Sequence, residues 1–456
     1  MSRMSSLSSR IPLSRPFRIL FGLLLLLGLG LTCASALQST SQPRPRGPKK
    51  ITTPPKGEPM TEPADKAAFK EVDRLIQDQK MEAASALVMK ILEQARRAGD
   101  EATWTRALIR EVQLRTALHG YETSVRFLKT EPWPQGALSR LTLELFYAHS
   151  LVTYQQVYSY EIGTREKVES KGAIDLKAWT GEQIRAEAAR AYASAWQQRE
   201  KLGREPVSRL SEFLEPNNYP AGIRDSLRDA ISYLFVEFLA DTAGWRPEQS
   251  NDLFQLDLPA LIAGNSKAQA VALDDPAVHP LLRIGAILTD LESWHEGDGA
   301  REGALEARLE RLRRLHASFT KEADRQLIRK DLARRLATYR TLPWWSTGQA
   351  ELAEYVRQEP SPDNLVRARA LAVAGVKAFP DSPGSLRCAS IVESIGVPDF
   401  QLAAMSSDGL ARRSIQVTHK NMASITFRAY PIELEKRVTQ ARDYHLFPAG
   451  PELVKL

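Results

Sequence analysis

Residues 65–120 read DKAAFKEVDRLIQDQKMEAASALVMKILEQARRAGDEATWTRALIREVQLRTALHG. Apolar residues recur here at helical spacing and do not alternate. Phe69, Val72 and Leu75-Ile76 mark one face; Leu87-Val88, Ile91-Leu92 and Ala95 mark the next. Gly99 stands where the second helix must stop, because glycine enters the left-handed C-cap conformation without a steric cost. Asp100 then offers a carboxylate to the orphan amides of a third helix. That helix runs through Trp104, Leu108, Val112 and Leu118 to Gly120. Amphipathic helices joined by tight turns are the grammar of stacked helical hairpins.

The same grammar extends along the chain. Leu138 to Tyr160 is a long apolar helix, and Ile184, Ala188, Tyr192, Ala195-Trp196 and Leu202 form another. Leu227 to Leu239 is the most apolar stretch after the N-terminal region and belongs at the centre of the fold. Leu305, Leu309, Leu312, Leu315 and Phe319 make a stripe. Arg308, Arg311, Arg313 and Arg314 lie on its other sides, read as a solvated face with Glu310 and Arg314 paired at i,i+4. Leu327-Ile328, Leu332 and Leu336 mark a further helix. A last helical pair, Asp363 to Ala378 and Ser385 to Ile395, is joined by Phe379-Pro380-Asp381-Ser382-Pro383-Gly384. That turn resembles the one between tetratricopeptide-type repeats. Without a strict 34-residue period, the expected fold is mostly α: stacked helical hairpins forming a degenerate α-solenoid.

After Pro398 the spacing changes to alternation. Ile415 and Val417 share a face, as do Ile425, Phe427 and Ala429, which predicts a short C-terminal β hairpin with an exposed edge. The domain organisation expected is therefore a leader over 1–36, a Pro-rich linker over 37–63, a helical-repeat domain over 64–398 and the start of an incomplete β domain over 399–456.

The net charge of +7 and the pI near 9.2 invite a nucleic-acid reading. Nine basic residues precede Thr61, opposed by Glu58 alone, and they account for the whole excess. The helical body is close to neutral, so bulk charge gives no support to a nucleic-acid groove. Arg3, Arg10, Arg15 and Arg18 precede an apolar run over Ile19 to Leu31, and Ala34-Ser35-Ala36 gives a small-x-small cleavage site. This pattern reads first as a cleaved export signal, second as lipidation on Cys33, third as a membrane anchor. Residues 38–63 hold seven prolines among Ser, Thr, Lys and Arg and no apolar period, so they read as a solvated spacer next to the membrane. The expected location is the periplasm or cell envelope, with secretion as the alternative.

A leader, a long helical region and the hairpin Gln416-Val417-Thr418-His419-Lys420-Asn421-Met422-Ala423-Ser424-Ile425-Thr426-Phe427-Arg428-Ala429-Tyr430 together resemble the N-terminal part of bacterial alpha-2-macroglobulin-like proteins. Residues 232–242 and 305–320 add to the resemblance. It implies an endopeptidase-inhibitor-like or envelope-defence protein, with a protease or downstream macroglobulin-like domains as partner. Thioester-bearing members join a Cys to a Gln within Cys-x-Glu-Gln. Here Thr180-Gly181-Glu182-Gln183 puts Thr in the cysteine's place, so no thioester can form, and the spacing reads as a helix capping box. A truncated module of this kind would not trap a protease alone.

Other chemistry leaves little mark. The seven histidines form no metal-ligand pair; His295-Glu296 reads as part of a Gly/Asp turn. No nucleophile elbow, phosphate loop or dinucleotide fingerprint occurs, so neither cofactor nor metal is expected and the chain reads as non-enzymatic. Cys388 reads as a small core residue. Glu237 and Asp241 lie i,i+4 and read as ion-paired or exposed at a helix end. Trp344-Trp345 is the candidate partner surface, an aromatic ledge, set against a packing wedge. The alternative function is a free-standing periplasmic helical-repeat scaffold; an enzyme built from scattered residues is the third.

Overall fold

The computed structural model describes residues 64–166, 175–264, 271–405, 408–409, 414–428 and 430–440. The leader, its cleavage residues Ala34 and Ala36, Cys33 and the Pro-rich linker lie outside these residues, as does Ala429. The described residues are mostly helical with one two-stranded sheet. They fall into two compact units that divide between Ile328 and Arg329.

In the first unit, α1 (Ala64–Gln77), α2 (Met81–Ala98), α3 (Glu101–His119), α4 (Tyr121–Thr130) and α5 (Ala137–Val157) pack in chain order. Gly99 caps α2 in the left-handed region at φ 68°, and Asp100 accepts from the Thr103 amide at the start of α3. The short α6 (Ser159–Gly163) follows. Next come α7 (Gly181–Gln197), the one-turn α8 (Arg199–Leu202) and α9 (Leu227–Ala240). The single-turn α10 (Pro247–Asp252) and α11 (Leu258–Ala263) lead to α12 (Pro280–Gly297) and α13 (Arg301–Ser318). α5 packs on α7, α7 on α9, α9 on α12 and α12 on α13. α9 is buried over nearly its whole length, as its composition requires.

α13 corrects one expectation. Its arginines do not form a solvated face: Arg308 and Arg311 are both buried, and both reach Glu292 on α12, at 2.7 and 2.6 Å. Glu306 and Glu310 are buried too, and both accept from Arg224, at 2.7 and 2.9 Å. The expected Glu310–Arg314 pair forms at 2.7 Å. These partners come from α12 and from the segment before α9. Local periodicity shows the charges of one helix but cannot show acids contributed by another.

The division between the units falls inside α14 (Glu322–Leu336). In the second unit α15 (Trp345–Arg357), α16 (Asn364–Ala378) and α17 (Pro383–Gly396) pack against one another. Ser382 caps α17 and Pro383 occupies its first turn, where a missing N–H costs nothing. Cys388 is fully buried as a core residue, its thiol pushed up to about 11 by burial and its Sγ 3.4 Å from the Ser346 carbonyl. A Cβ on Gly375 would lie 2.5 Å from that sulfur, so glycine is what lets α16 approach α17.

β1 (Asp399–Ala404) and β2 (Ile415–Lys420) form the expected hairpin, antiparallel with Leu402 opposite Val417. The expected partner strand is corrected: Ile415 and Val417 are in β2, but Ile425 and Phe427 are in no strand. Asn421 ends β2 at φ 55°, and its side-chain amide donates to the Ile395 carbonyl at 2.6 Å. That turn takes the chain off the sheet, and Phe400 and Leu402 supply the paired alternation instead. The closing helix is α18 (Leu434–Gln440).

Candidate functional site: an arginine-lined cleft

Trp344 and Trp345, the sequence candidates for a partner surface, are buried at 4% and 7% exposure. They pack as a wedge at the start of α15 and present no ledge to a partner. Thr180 and Gln183 form the full capping box: the Thr180 hydroxyl accepts from the Gln183 amide, and the Gln183 side chain accepts from the Thr180 amide at 2.9 Å. His295 lies in the last turn of α12, not in a loop, and its Nε2 is 2.9 Å from Asp229 Oδ1. Glu237 is exposed, and Asp241 pairs with Arg185 at 3.0 Å.

A concave feature of this unit lies where the start of α7, the end of α9 and the start of α12 meet. A cleft of about 410 Å³ opens there. Ala186, Ala189, Phe238, Leu239, Trp245 and Pro280 give it apolar walls, and Arg185, Arg246 and Arg283 bring three guanidiniums to it.

Each wall follows from local chemistry. Arg185 reaches from α7 to the C-terminus of α9, where unpaired carbonyls attract a cation. It donates to the Phe238 carbonyl at 3.2 Å and to Asp241, and its guanidinium sits 4.8 Å from the Phe238 ring centre. Gly244 makes this possible, since a Cβ there would fall 1.6 Å from the guanidinium carbon. Trp245 is fixed by a 2.9 Å bond from its indole N–H to the Leu239 carbonyl and by an edge contact with His279. His279 in turn caps α12: its Nδ1 accepts from the Leu281 amide at 3.1 Å, while Nε2 lies 2.8 Å from the Gln249 carbonyl. Both contacts together require the neutral Nε2–H tautomer.

Arg283 is the unusual member. It projects from the first turns of α12, inside the apolar run Leu281, Leu282, Ile284, and is only 6% exposed. Its Nη1 donates to the Leu273 carbonyl at 3.2 Å, and its Nε is buried without an acceptor. Five other arginines among the described residues are as deeply buried: Arg224, Arg228, Arg308, Arg311 and Arg329. Each has a carboxylate within 2.6 to 2.8 Å. Among the described residues Arg283 has no carboxylate in contact. Burial, reinforced by the like charges of Arg185 and Arg246 and only partly opposed by the more distant Asp275 and Asp274, pushes it down to about 10, which leaves it charged at neutral pH. Arg246 also lacks a carboxylate among the described residues; it donates to the Pro276 carbonyl at 2.6 Å.

Sequence reading had no local pattern for these three arginines, which are far apart in the chain. The usable signal was Arg283 itself, a cation within an apolar helical run. Among the described residues no group of His, Cys, Asp and Glu could hold a metal ion, and no helix is long and apolar enough to cross a membrane. Compared with known protein families, curated proteins and solved structures, the chain matches none.

Proposed function

We propose that this chain is an exported binding module whose arginine-lined cleft accepts an anionic ligand. The observation that carries the reading is the buried guanidinium of Arg283, which touches no carboxylate and keeps a buried Nε without an acceptor. A buried charge without a contacting counter-ion is costly, and every other described arginine so buried has one within 2.8 Å. The lining chemistry suits binding: guanidiniums supply charge and hydrogen bonds, and the apolar walls exclude water from them. The test is a thermal-shift titration of the chain from Leu37 onward with acetate, phosphate and sulfate, beside the same titration of Arg283→Met. Stabilisation by an anion in the parent and its loss in the variant is the expected result. No anion effect in either overturns the reading. Export is tested separately, by sequencing the N-terminus of the protein from an envelope fraction, which should begin at Leu37.

A second reading keeps the macroglobulin-like resemblance, with a protein partner. It is favoured by the hairpin, whose apolar face (Phe400, Leu402, Ile415) is about half exposed. In that architecture a further β layer lies against such a face. Further β-sandwich coding sequence adjoining this chain's own is the expected finding; an unrelated neighbouring gene counts against it.

A further inference from the structure

The cleft's composition narrows the class of anion, and this step rests on the anion-binding reading above. Three guanidiniums line it against one carboxylate, Glu182, while Asp241, outside the lining, pairs with Arg185 at 3.0 Å, so one positive charge is left without a carboxylate at close range. A monoanion neutralises that; a phosphate dianion would leave an excess negative charge in a partly desolvated place. The neutral polar groups are already committed. Thr180 and Gln183 satisfy each other, the Gln155 amide donates to the Gly181 carbonyl, and Gln249 bridges the Arg246 amide and the Pro276 carbonyl. A sugar phosphate or nucleotide would bring hydroxyls and ring nitrogens that find no partners among these groups, a costly mismatch. What remains is apolar: Ala186, Ala189, Phe238, Leu239, Trp245 and Pro280.

We infer that the cleft binds an organic monocarboxylic acid with an apolar body, its carboxylate directed at Arg283 and its body against Phe238 and Trp245. The first-turn amides of α7 and the N-terminus of α12 flank the same cleft and favour negative charge there. Arg185 is a positioning group, because Asp241 and the Phe238 carbonyl already engage its Nη1 and Nη2.

The experiment is calorimetric titration of the chain from Leu37 onward with 4-phenylbutyrate, its neutral amide and inorganic phosphate. The carboxylate should bind, and the amide should bind at least about tenfold more weakly, the discrimination expected from one charge-assisted contact. Arg283→Met should lower carboxylate affinity by about tenfold or more while leaving the ligand-free protein at least as resistant to urea, since it removes a buried charge that touches no carboxylate. Ala186→Phe, which fills the apolar wall without touching the guanidiniums, should also weaken the carboxylate. Equal binding of amide and carboxylate overturns the role of Arg283. Binding of phosphate but not phenylbutyrate overturns the ligand class while the anion-binding reading stands. Binding of none of the three overturns both.

Discussion

Arg224 and Arg283 are equally buried arginines in opposite situations. Arg224 lies at φ 56°, a left-handed conformation that a side chain of this size rarely takes, and is 4% exposed. Its strain is supported by partners on every side: Glu306, Glu310 and the faces of Tyr233 and Tyr219 at 3.6 and 4.6 Å. Burial works against its charge, but these neighbours more than offset that and hold it above the ordinary arginine value. Removing it takes from Glu306 and Glu310 their most deeply buried cation and leaves them to the part-exposed Arg313 and Arg314. Arg224→Ala is therefore expected to cost about 2–4 kcal/mol in urea unfolding, somewhat less than stranding a buried charge outright, because Arg313 and Arg314 remain; a loss below about 1 kcal/mol would show that those two suffice. His279 gives a second prediction at this scale. Burial holds it below its ordinary value, and its two hydrogen bonds need the neutral ring. The unfolded chain takes up the proton more readily than the folded one. Its contribution is thus complete above a pH of about 6.5 and is lost as the pH falls below that. His279→Asn, which keeps a capping side chain that does not titrate, should flatten the stability change between pH 7.5 and 5.5 measured by urea midpoints.

At the scale of elements, the caps explain which parts of the fold were legible. The junction between α2 and α3 could be read to the residue because Gly99 and Asp100 act within one turn of where they stand. α7 was legible for the same reason: Thr180 and Gln183 satisfy each other without help from elsewhere. Thr180→Ala should lower stability by about 1 kcal/mol. Gly99→Ala should cost about 1–2 kcal/mol, through backbone strain alone, because no atom lies within 4 Å of the added Cβ. Far-ultraviolet circular dichroism during urea titration measures both, and a neutral Gly99→Ala would contradict the assigned cap conformation. The features that sequence reading missed depend on distant partners. Acids from another helix bury the α13 arginines, and Phe400 with Leu402 takes the strand partnership expected of Ile425 and Phe427. The cleft shares this cause, since its three arginines come from α7, from the residue before α10 and from α12.

Across residues 64–328, acid stability follows from how the buried carboxylates divide. Glu310 and Glu187 are desolvated, yet guanidiniums reverse that: Arg224, Arg313 and Arg314 act on the first, and Arg190 on the second, so both are held below the ordinary carboxylate value. Glu111 and Glu144 are also buried, but their partners fall short and burial pushes both up. The two groups pull in opposite directions as the pH drops. A carboxylate held low contributes stability above a pH of about 4.5 and loses it as the pH falls further; one pushed up resists folding in its charged form at neutral pH. Glu310→Gln should therefore weaken the protein at pH 7 and give a shallower decline between pH 5 and 3, because the group that must be protonated is gone. Glu144→Gln should be neutral to slightly stabilising at pH 7 and should steepen the acid decline, because the group that favours the fold on protonation is gone. Since the Arg224–Glu310 pair is buried, raising salt from about 0.05 to about 0.5 M should leave the Glu310-dependent part of the profile in place, whereas exposed pairs such as Arg74–Glu71 are screened. Urea midpoints across this pH range at the two salt concentrations measure this directly. An acid decline that vanished in high salt would place it in the surface charges and not in the paired carboxylates around α13.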